Sequence, residues 1–97
     1  MLWEIVKSRM MLHPDQTVCE GDIRLRYADM VTQAERLARD LRAPCCAVLC
    51  QSELNAAISM LACMAAGVTA VPLSYRYGGA HVQRILDFIH PCLLYTS

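Results

Sequence analysis

The sequence predicts an α/β fold in which a small, partial parallel sheet has helices on both sides and follows an N-terminal β-hairpin. Helical and strand-like segments alternate along the 97 residues, as in parallel sheets joined by crossover helices. Residues 45–50 are continuously apolar, which is typical of a strand covered on both faces, and residues 68–73 are interpreted as a second two-sided strand. The helical segment between them, residues 53–66, is apolar almost all round, so we expect an incomplete piece of a larger body.

Composition excludes several classes of protein. Nine Lys and Arg balance nine Asp and Glu, and 56% of residues are hydrophobic. Such a chain is too apolar to be disordered, and its length suits about one small domain. Zero net charge gives no basic surface, so we expect neither a nucleic-acid partner nor an anionic membrane.

The first elements follow from apolar spacing and turn residues. Residues 2–12 form a predicted helix that ends before Pro14, and its predicted apolar face holds Leu2, Trp3, Ile5, Val6 and Met10. Short β-prone runs at 16–19 and 22–25 flank Gly21, which predicts a hairpin.

The next helix, residues 27–41, has one apolar stripe and one charged face. The stripe should lie on a sheet, and it consists of Tyr27, Met30, Val31, Ala34, Leu37, Ala38 and Leu41. On the charged face, Glu35 and Arg39 have the spacing of a favourable ion pair.

The second half of the chain shows clear helix boundaries. Ser52 is a predicted N-cap for the helix at 53–66, and Gly67 is its predicted C-terminal stop. A loop at 74–79 leads to a third core helix, which ends before Pro91, and a final strand can follow. The apolar positions of that helix are Val82, Ile85, Leu86 and Ile89.

Six cysteines raise the question of disulfides or zinc. Disulfides need an oxidising compartment, and the first eleven residues, with Glu4, Lys7 and Arg9, do not resemble a secretory signal. Zinc needs paired ligands, but Cys46 and Cys50 in a strand would be ~13 Å apart. We therefore expect reduced thiols that pack in the core of a cytoplasmic protein.

Residues 54–73 are long and apolar enough to raise the alternative of a membrane span. Gly67 and the β-prone residues after it favour a buried helix followed by a buried strand instead.

Four ordered segments carry a family resemblance: LRYADM at 25–30, AVLC at 47–50, MAAGVTAVPL at 64–73 and RIL at 84–86. Over residues 14–91 the chain resembles the N-terminal part of the adenylate-forming, or AMP-binding, superfamily. That superfamily includes acyl-CoA synthetases, aryl acid ligases and the adenylation domains of nonribosomal peptide synthetases. The resemblance implies that residues 1–91 are the N-terminal portion of a large adenylation domain.

Two positions depart from the family's pattern. Arg26 stands where Thr or Ser would cap the helix at 27, so Asp29 or the helix dipole would have to compensate. Gly78 and Gly79 stand where the family often has a proline.

The resemblance also implies a reaction. Family members join a carboxylic or amino acid to ATP with Mg²⁺, then pass the acyl group to coenzyme A or to the phosphopantetheine of a carrier protein. The phosphate loop, acid and lysine for this chemistry lie outside these 97 residues. We therefore assign no catalytic, cofactor-binding or metal residue here, expect the chain alone to be inactive, and expect its partner to be the rest of the domain.

The last six residues, 92–97, equal the translation of the end of a transposon-derived sequencing adapter. We expect them to be read-through and not native sequence.

The remaining candidates have plain and functional interpretations. Tyr75, Arg76 and Tyr77 follow the carboxyl end of a strand, where ligands of α/β sheets bind, or they pack the loop. His13, His81 and His90 are expected in capping or surface roles. As an alternative function, the chain is a non-catalytic α/β interaction module whose exposed apolar helix binds a partner.

Overall fold

The predicted order of elements is confirmed. The computed structural model describes residues 2–42, 44–89 and 93–96. Its elements are α1 (Leu2–Met11), β1 (Thr17–Glu20), β2 (Ile23–Arg26), α2 (Tyr27–Ala38), β3 (Cys45–Leu49), α3 (Glu53–Ala66), β4 (Thr69–Leu73), α4 (Gly79–Ile89) and β5 (Leu93–Thr96). The largest difference is that α2 ends at Ala38, before Leu41, which is nonetheless buried.

Two separate sheets organise the strands. Strands β1 and β2 form an antiparallel hairpin with Glu20 opposite Ile23, and Gly21 turns the chain at a φ of 59°. The second sheet is parallel in the order β4-β3-β5. Pro72 lies in β4, at an edge of this sheet, where the missing N–H of proline is tolerated.

The central strand is covered on both faces, as its continuous apolar run predicts. Cys46, Ala47 and Val48 are successive residues that point to alternate faces, and each is at most 1% exposed. Helix α3 packs against β3 and β4 on one side and against α2 on another. The core therefore lies between the parallel sheet, α3 and α2.

Helix α3 is largely covered within this chain. Only Glu53, Asn55 and Ala57 of this helix are exposed, so the prediction of a buried helix is confirmed, and the exposed apolar helix of the alternative interpretation was wrong. Helix α2 provides the cover, since its stripe packs chiefly against α3 and not directly on the sheet. Ala34 of α2 and Ala62 of α3 are fully buried.

The predicted apolar face of α1 was only partly right. Trp3 is buried, and Val6 and Met10 pack against the core. Leu2 and Ile5 are each 61% exposed, because they lie to one side of the narrow face formed by Trp3, Val6 and Met10.

Helix α4 lies on the surface and is not a core helix. No residue of α4 is fully buried, and Phe88 is 86% exposed. The four residues of its predicted apolar stripe are half-buried: Val82, Ile85, Leu86 and Ile89. The periodicity of the stripe was read correctly, but the described residues do not enclose it.

Both predicted boundaries of α3 are confirmed. The Ser52 hydroxyl accepts a hydrogen bond from the Asn55 N–H at 3.0 Å. Gly67 adopts the left-handed conformation at a φ of 71°, and the Val68 N–H reaches the Cys63 carbonyl at 2.9 Å. This is the hydrogen-bond pattern of a glycine-terminated helix.

Residues 54–73 divide into α3 and β4. The prediction that the second strand is buried on both faces was wrong, because β4 lies at the sheet edge, where Thr69 and Pro72 are exposed and only Leu73 is buried. In the part of the chain that the structure describes, no helix is both long and apolar enough to cross a membrane.

Candidate functional site

Two loops lie at the carboxyl edge of the parallel sheet, which is the edge where open α/β sheets bind ligands. Residues 50–52 follow the central strand β3, and residues 74–78 follow β4. Because β3 and β4 are parallel neighbours, both loops leave the sheet on the same side. We call this region the carboxyl edge.

The loop at 74–78 is organised by its own residues. The Ser74 carbonyl accepts from the Tyr77 N–H at 3.1 Å, and the Ser74 hydroxyl accepts from the Arg76 N–H at 3.2 Å. The Arg76 guanidinium lies 5.7 Å from the centre of the Tyr75 ring, and Tyr77 stacks on His81 with ring centres 4.5 Å apart. These exposed side chains mainly pack on one another, which favours loop packing over ligand binding as the role of Tyr75, Arg76 and Tyr77.

The loop at 50–52 is held by a residue from the hairpin. Glu20, at the end of β1, accepts a hydrogen bond from the Ser52 hydroxyl with one carboxylate oxygen. Its other oxygen accepts from the Leu54 N–H at 3.1 Å. The Ser52 bond is the main reason why the pKa of Glu20 is lowered, and the Leu54 bond adds to it.

Sequence reasoning missed Glu20. Its partners are 32 and 34 residues away, so no local spacing signals the contact. Ser52 was recognised as a cap, but the second bond that its hydroxyl makes depends on how the hairpin folds back on α3.

Two cavities lie beside helix α3. One, of about 170 Å³, lies between the hairpin, α2 and α3, and is lined by Val18, Cys19, Glu20, Met30, Glu53, Leu54 and Ala57. The other is an open groove of about 380 Å³ between α2 and α3, lined by Gln33, Arg36, Leu37, Asp40, Asn55 and Ile58. Neither lining combines a nucleophile with a histidine base, so neither suggests nucleophilic catalysis.

Three of the described cysteines are packing thiols. Cys46, Cys50 and Cys63 are buried, Cys45 is half-buried, and Cys19 is exposed, so only the first three are core thiols. Burial raises the pKa of Cys63 to about 11, with Cys46 as a further cause. Cys92 lies outside the described residues, and among those described no three His, Cys, Asp or Glu side chains are grouped to hold a metal ion.

The two described histidines lie on the surface, which is one of the two roles expected. His13 is exposed just after α1, where its backbone N–H donates to the Met10 carbonyl, and His81 is exposed and stacks on Tyr77. His90 lies outside the described residues.

The family resemblance implies ATP and Mg²⁺ as ligands. Gly78 and Gly79 have no atom within 4 Å of the position of an added Cβ, so the described residues leave open space beside both glycines. Magnesium prefers carboxylates together with substrate phosphates, and no cluster of potential ligands occurs in residues 2–42 and 44–89.

Sequence comparison identifies relatives of known type. The model of the AMP-binding enzyme family matches residues 6–97. N-(5-amino-5-carboxypentanoyl)-L-cysteinyl-D-valine synthase of Penicillium rubens is 35% identical over 79 residues, which cover 74% of this chain. The chain spans about 2% of the length of that curated relative.

Solved structures share the fold at low sequence identity. The N-terminal subdomain of Klebsiella oxytoca NpsA matches with a TM-score of 0.87 at 18% identity, over 98% of this chain and 27% of that one. O-succinylbenzoate coenzyme A synthetase of Bacillus subtilis, in complex with AMP, matches with a TM-score of 0.80 at 20% identity. That match covers 98% of this chain and 26% of the synthetase. With the family model matching almost the whole sequence, the chain belongs to the family of AMP-binding enzymes.

Proposed function

We propose that the protein carrying this chain is an AMP-forming ligase. It activates a carboxylic or amino acid with ATP to an acyl-adenylate, and then passes the acyl group to a thiol. The observation that carries this proposal is the match of the AMP-binding family model to residues 6–97. The fold supports it, since its structural relatives include a coenzyme A synthetase bound to AMP.

The catalytic groups of this ligase belong to other segments of the polypeptide. The 97 residues contain no phosphate-loop motif, and their described part holds no cluster of potential metal ligands, so we expect this chain alone to be inactive. Its part is to provide three parallel strands and their helices as a wall of the adenylation domain. The remainder of that domain is therefore its first partner, and the cytoplasm is the expected compartment.

Two acceptor thiols are consistent with the relatives. Coenzyme A is the acceptor suggested by the Bacillus synthetase, and a carrier-protein phosphopantetheine is the one suggested by the relatives among peptide synthetases. The alternative of a non-catalytic interaction module loses its main support, because α2 and the sheet cover most of α3.

The test is ATP–pyrophosphate exchange by the full-length protein with a panel of carboxylic and amino acids. We expect exchange that depends on one class of acid and on Mg²⁺, and none from the 97-residue chain. The longer reading frame should also encode a Thr/Ser/Gly-rich loop followed by Lys. A full-length, folded protein with no acid-dependent exchange, or exchange by this chain alone, would contradict the proposal.

A further inference from the structure

We propose that Glu20 is a positioning residue, which fixes the loop at 50–52 and the start of α3 against the β-hairpin. The inference rests on the proposed function only in so far as that loop belongs to the carboxyl edge of a working ligase. The contacts that support it stand apart from any assignment of chemistry.

The first step is the geometry of the carboxylate. Each oxygen of Glu20 serves a different group, with Ser52 on one side and the Leu54 N–H on the other. The Ser52 hydroxyl at the same time caps the Asn55 N–H. Two N–H groups in the first turn of α3, which have no partner within the helix, therefore depend on Glu20. The Leu54 N–H bonds to Glu20 directly, and the Asn55 N–H bonds to the Ser52 hydroxyl that Glu20 holds.

The second step is the charge at this position. A carboxylate at a helix N-terminus is favoured by the partial positive charge there, and bonds to an ionised acceptor are stronger than neutral ones. The neighbouring titratable groups are Glu53 on α3 and Cys19 on β1, which line the same small cavity. Arg24 lies on β2 opposite Cys19.

The third step is what else fixes the hairpin. Val18 and Leu25 pack against the core, but several other hairpin positions are exposed, including Ile23 at 54%. Apolar contacts of this kind have no direction. The Tyr27 and Ala28 N–H groups also donate to the Gln16 and Pro14 carbonyls, but these bonds tie the base of the hairpin to α2 and not to α3. The two hydrogen bonds to Glu20 have a direction, and they set the position of residues 50–52 at the end of the central strand.

The test compares Glu20→Gln and Glu20→Ala with Glu53→Gln in the full-length protein. Glu53 is an exposed acid on the first turn of the same helix, so it controls for charge alone. Hydrogen exchange at the amides of Leu54 and Asn55 should accelerate roughly three- to tenfold in Glu20→Ala, less in Glu20→Gln, and remain unchanged in Glu53→Gln. Glu20→Asp should fail to restore protection, because its shorter side chain does not span both partners.

Two further measurements separate positioning from general stability. In the wild type, protection of Leu54 should fall as the pH drops through the lowered pKa of Glu20, and this step should be absent in Glu20→Gln. If the ligase is active, the variants should raise KM for the acid or ATP more than they lower kcat. Unchanged exchange at Leu54 and Asn55 in Glu20→Ala overturns the proposal, even if activity falls. Absence of ligase activity in the wild type overturns the proposed function and leaves the exchange result to decide this inference.

Discussion

Arg26 shows how a single residue can lose its usual role and be replaced by a neighbour. An arginine has no acceptor to cap the N–H groups at the start of α2. Asp29 instead accepts from the Arg26 N–H at 3.1 Å, and its two oxygens accept from the guanidinium at 3.1 and 3.0 Å. This is half of a capping box with an added ion pair, as the sequence suggested when it named Asp29 as the compensating residue.

We expect Asp29→Asn to destabilise α2, and Arg26→Ser to restore stability in that background by supplying a cap. The bonds to Arg26 lower the pKa of Asp29. The stabilisation is therefore present above the ordinary pKa of 3.8 and is lost as the pH falls through the lowered value. Urea unfolding between pH 2 and 7 checks this, and equal pH dependence in wild type and Asp29→Asn would contradict it.

Thiol reactivity should follow burial. With its pKa raised to about 11, Cys63 is about one-thousandth thiolate at pH 8, and its side chain is buried. Iodoacetamide should label exposed Cys19 first and reach Cys63 only in denaturant, as peptide mass spectrometry would show. Cys19→Ser is the control and should remove the fast phase, whereas native labelling of Cys63 at the rate of Cys19 would refute the assignment.

At the scale of elements, the contact between α2 and α3 depends on two small residues. Ala34 and Ala62 have no exposed surface, and both belong to the core cluster between the two helices and the sheet. Ala62→Leu should overfill the contact and lower the free energy of unfolding by about 1–3 kcal/mol. Ala57→Leu, on the exposed side of α3, should change it by less than about 0.5 kcal/mol in urea titrations. Equal effects of the two substitutions would mean that α2 does not cover α3.

Helix α1 is fixed by one tryptophan and one ion pair. Trp3 is buried and its indole N–H donates to Glu35 at 3.2 Å, while Lys7 donates to the same oxygen at 2.9 Å. The sequence had assigned Glu35 to a solvated face with Arg39. Glu35 instead turns towards α1, and Lys7 is the first cause of its lowered pKa.

We expect Trp3→Ala to reduce the free energy of unfolding by about 3–5 kcal/mol. Ile5→Ala on the exposed side of α1 should cost less than about 0.5 kcal/mol. Thermal unfolding of both variants tests whether Trp3 anchors α1. A small loss for Trp3→Ala would show that α1 is not part of the core.

At the scale of the whole molecule, the parallel sheet has three strands in the described part of the chain, and the chain covers 26% and 27% of the two structural relatives named above. The surface apolar stripe of α4 and the exposed Phe88 fit a wall that other segments of a ligase domain would extend. The family model also extends over residues 92–97, and β5 pairs with β3 there. A parallel strand pairs through its backbone, which many apolar sequences can supply, so we keep the prediction that these six residues are read-through.

We expect the genomic locus to diverge from this sequence after residue 91. Sequencing the locus from independent DNA, without transposon-based library preparation, is the measurement. A genomic frame that encodes residues 92–97 unchanged would show that they are native.

Local patterns in the sequence were enough to predict the order of elements, both boundaries of α3, the buried central strand and the family. Each depends on local spacing, on a cap or turn residue, or on an ordered set of motifs. Long-range packing was needed to show that α2 covers α3, that Leu2 and Ile5 face outwards, and that Glu20 and Glu35 bind partners far along the chain. The physical reason is that a periodic pattern shows which face of an element is apolar, whereas the neighbour that covers it depends on how distant segments pack.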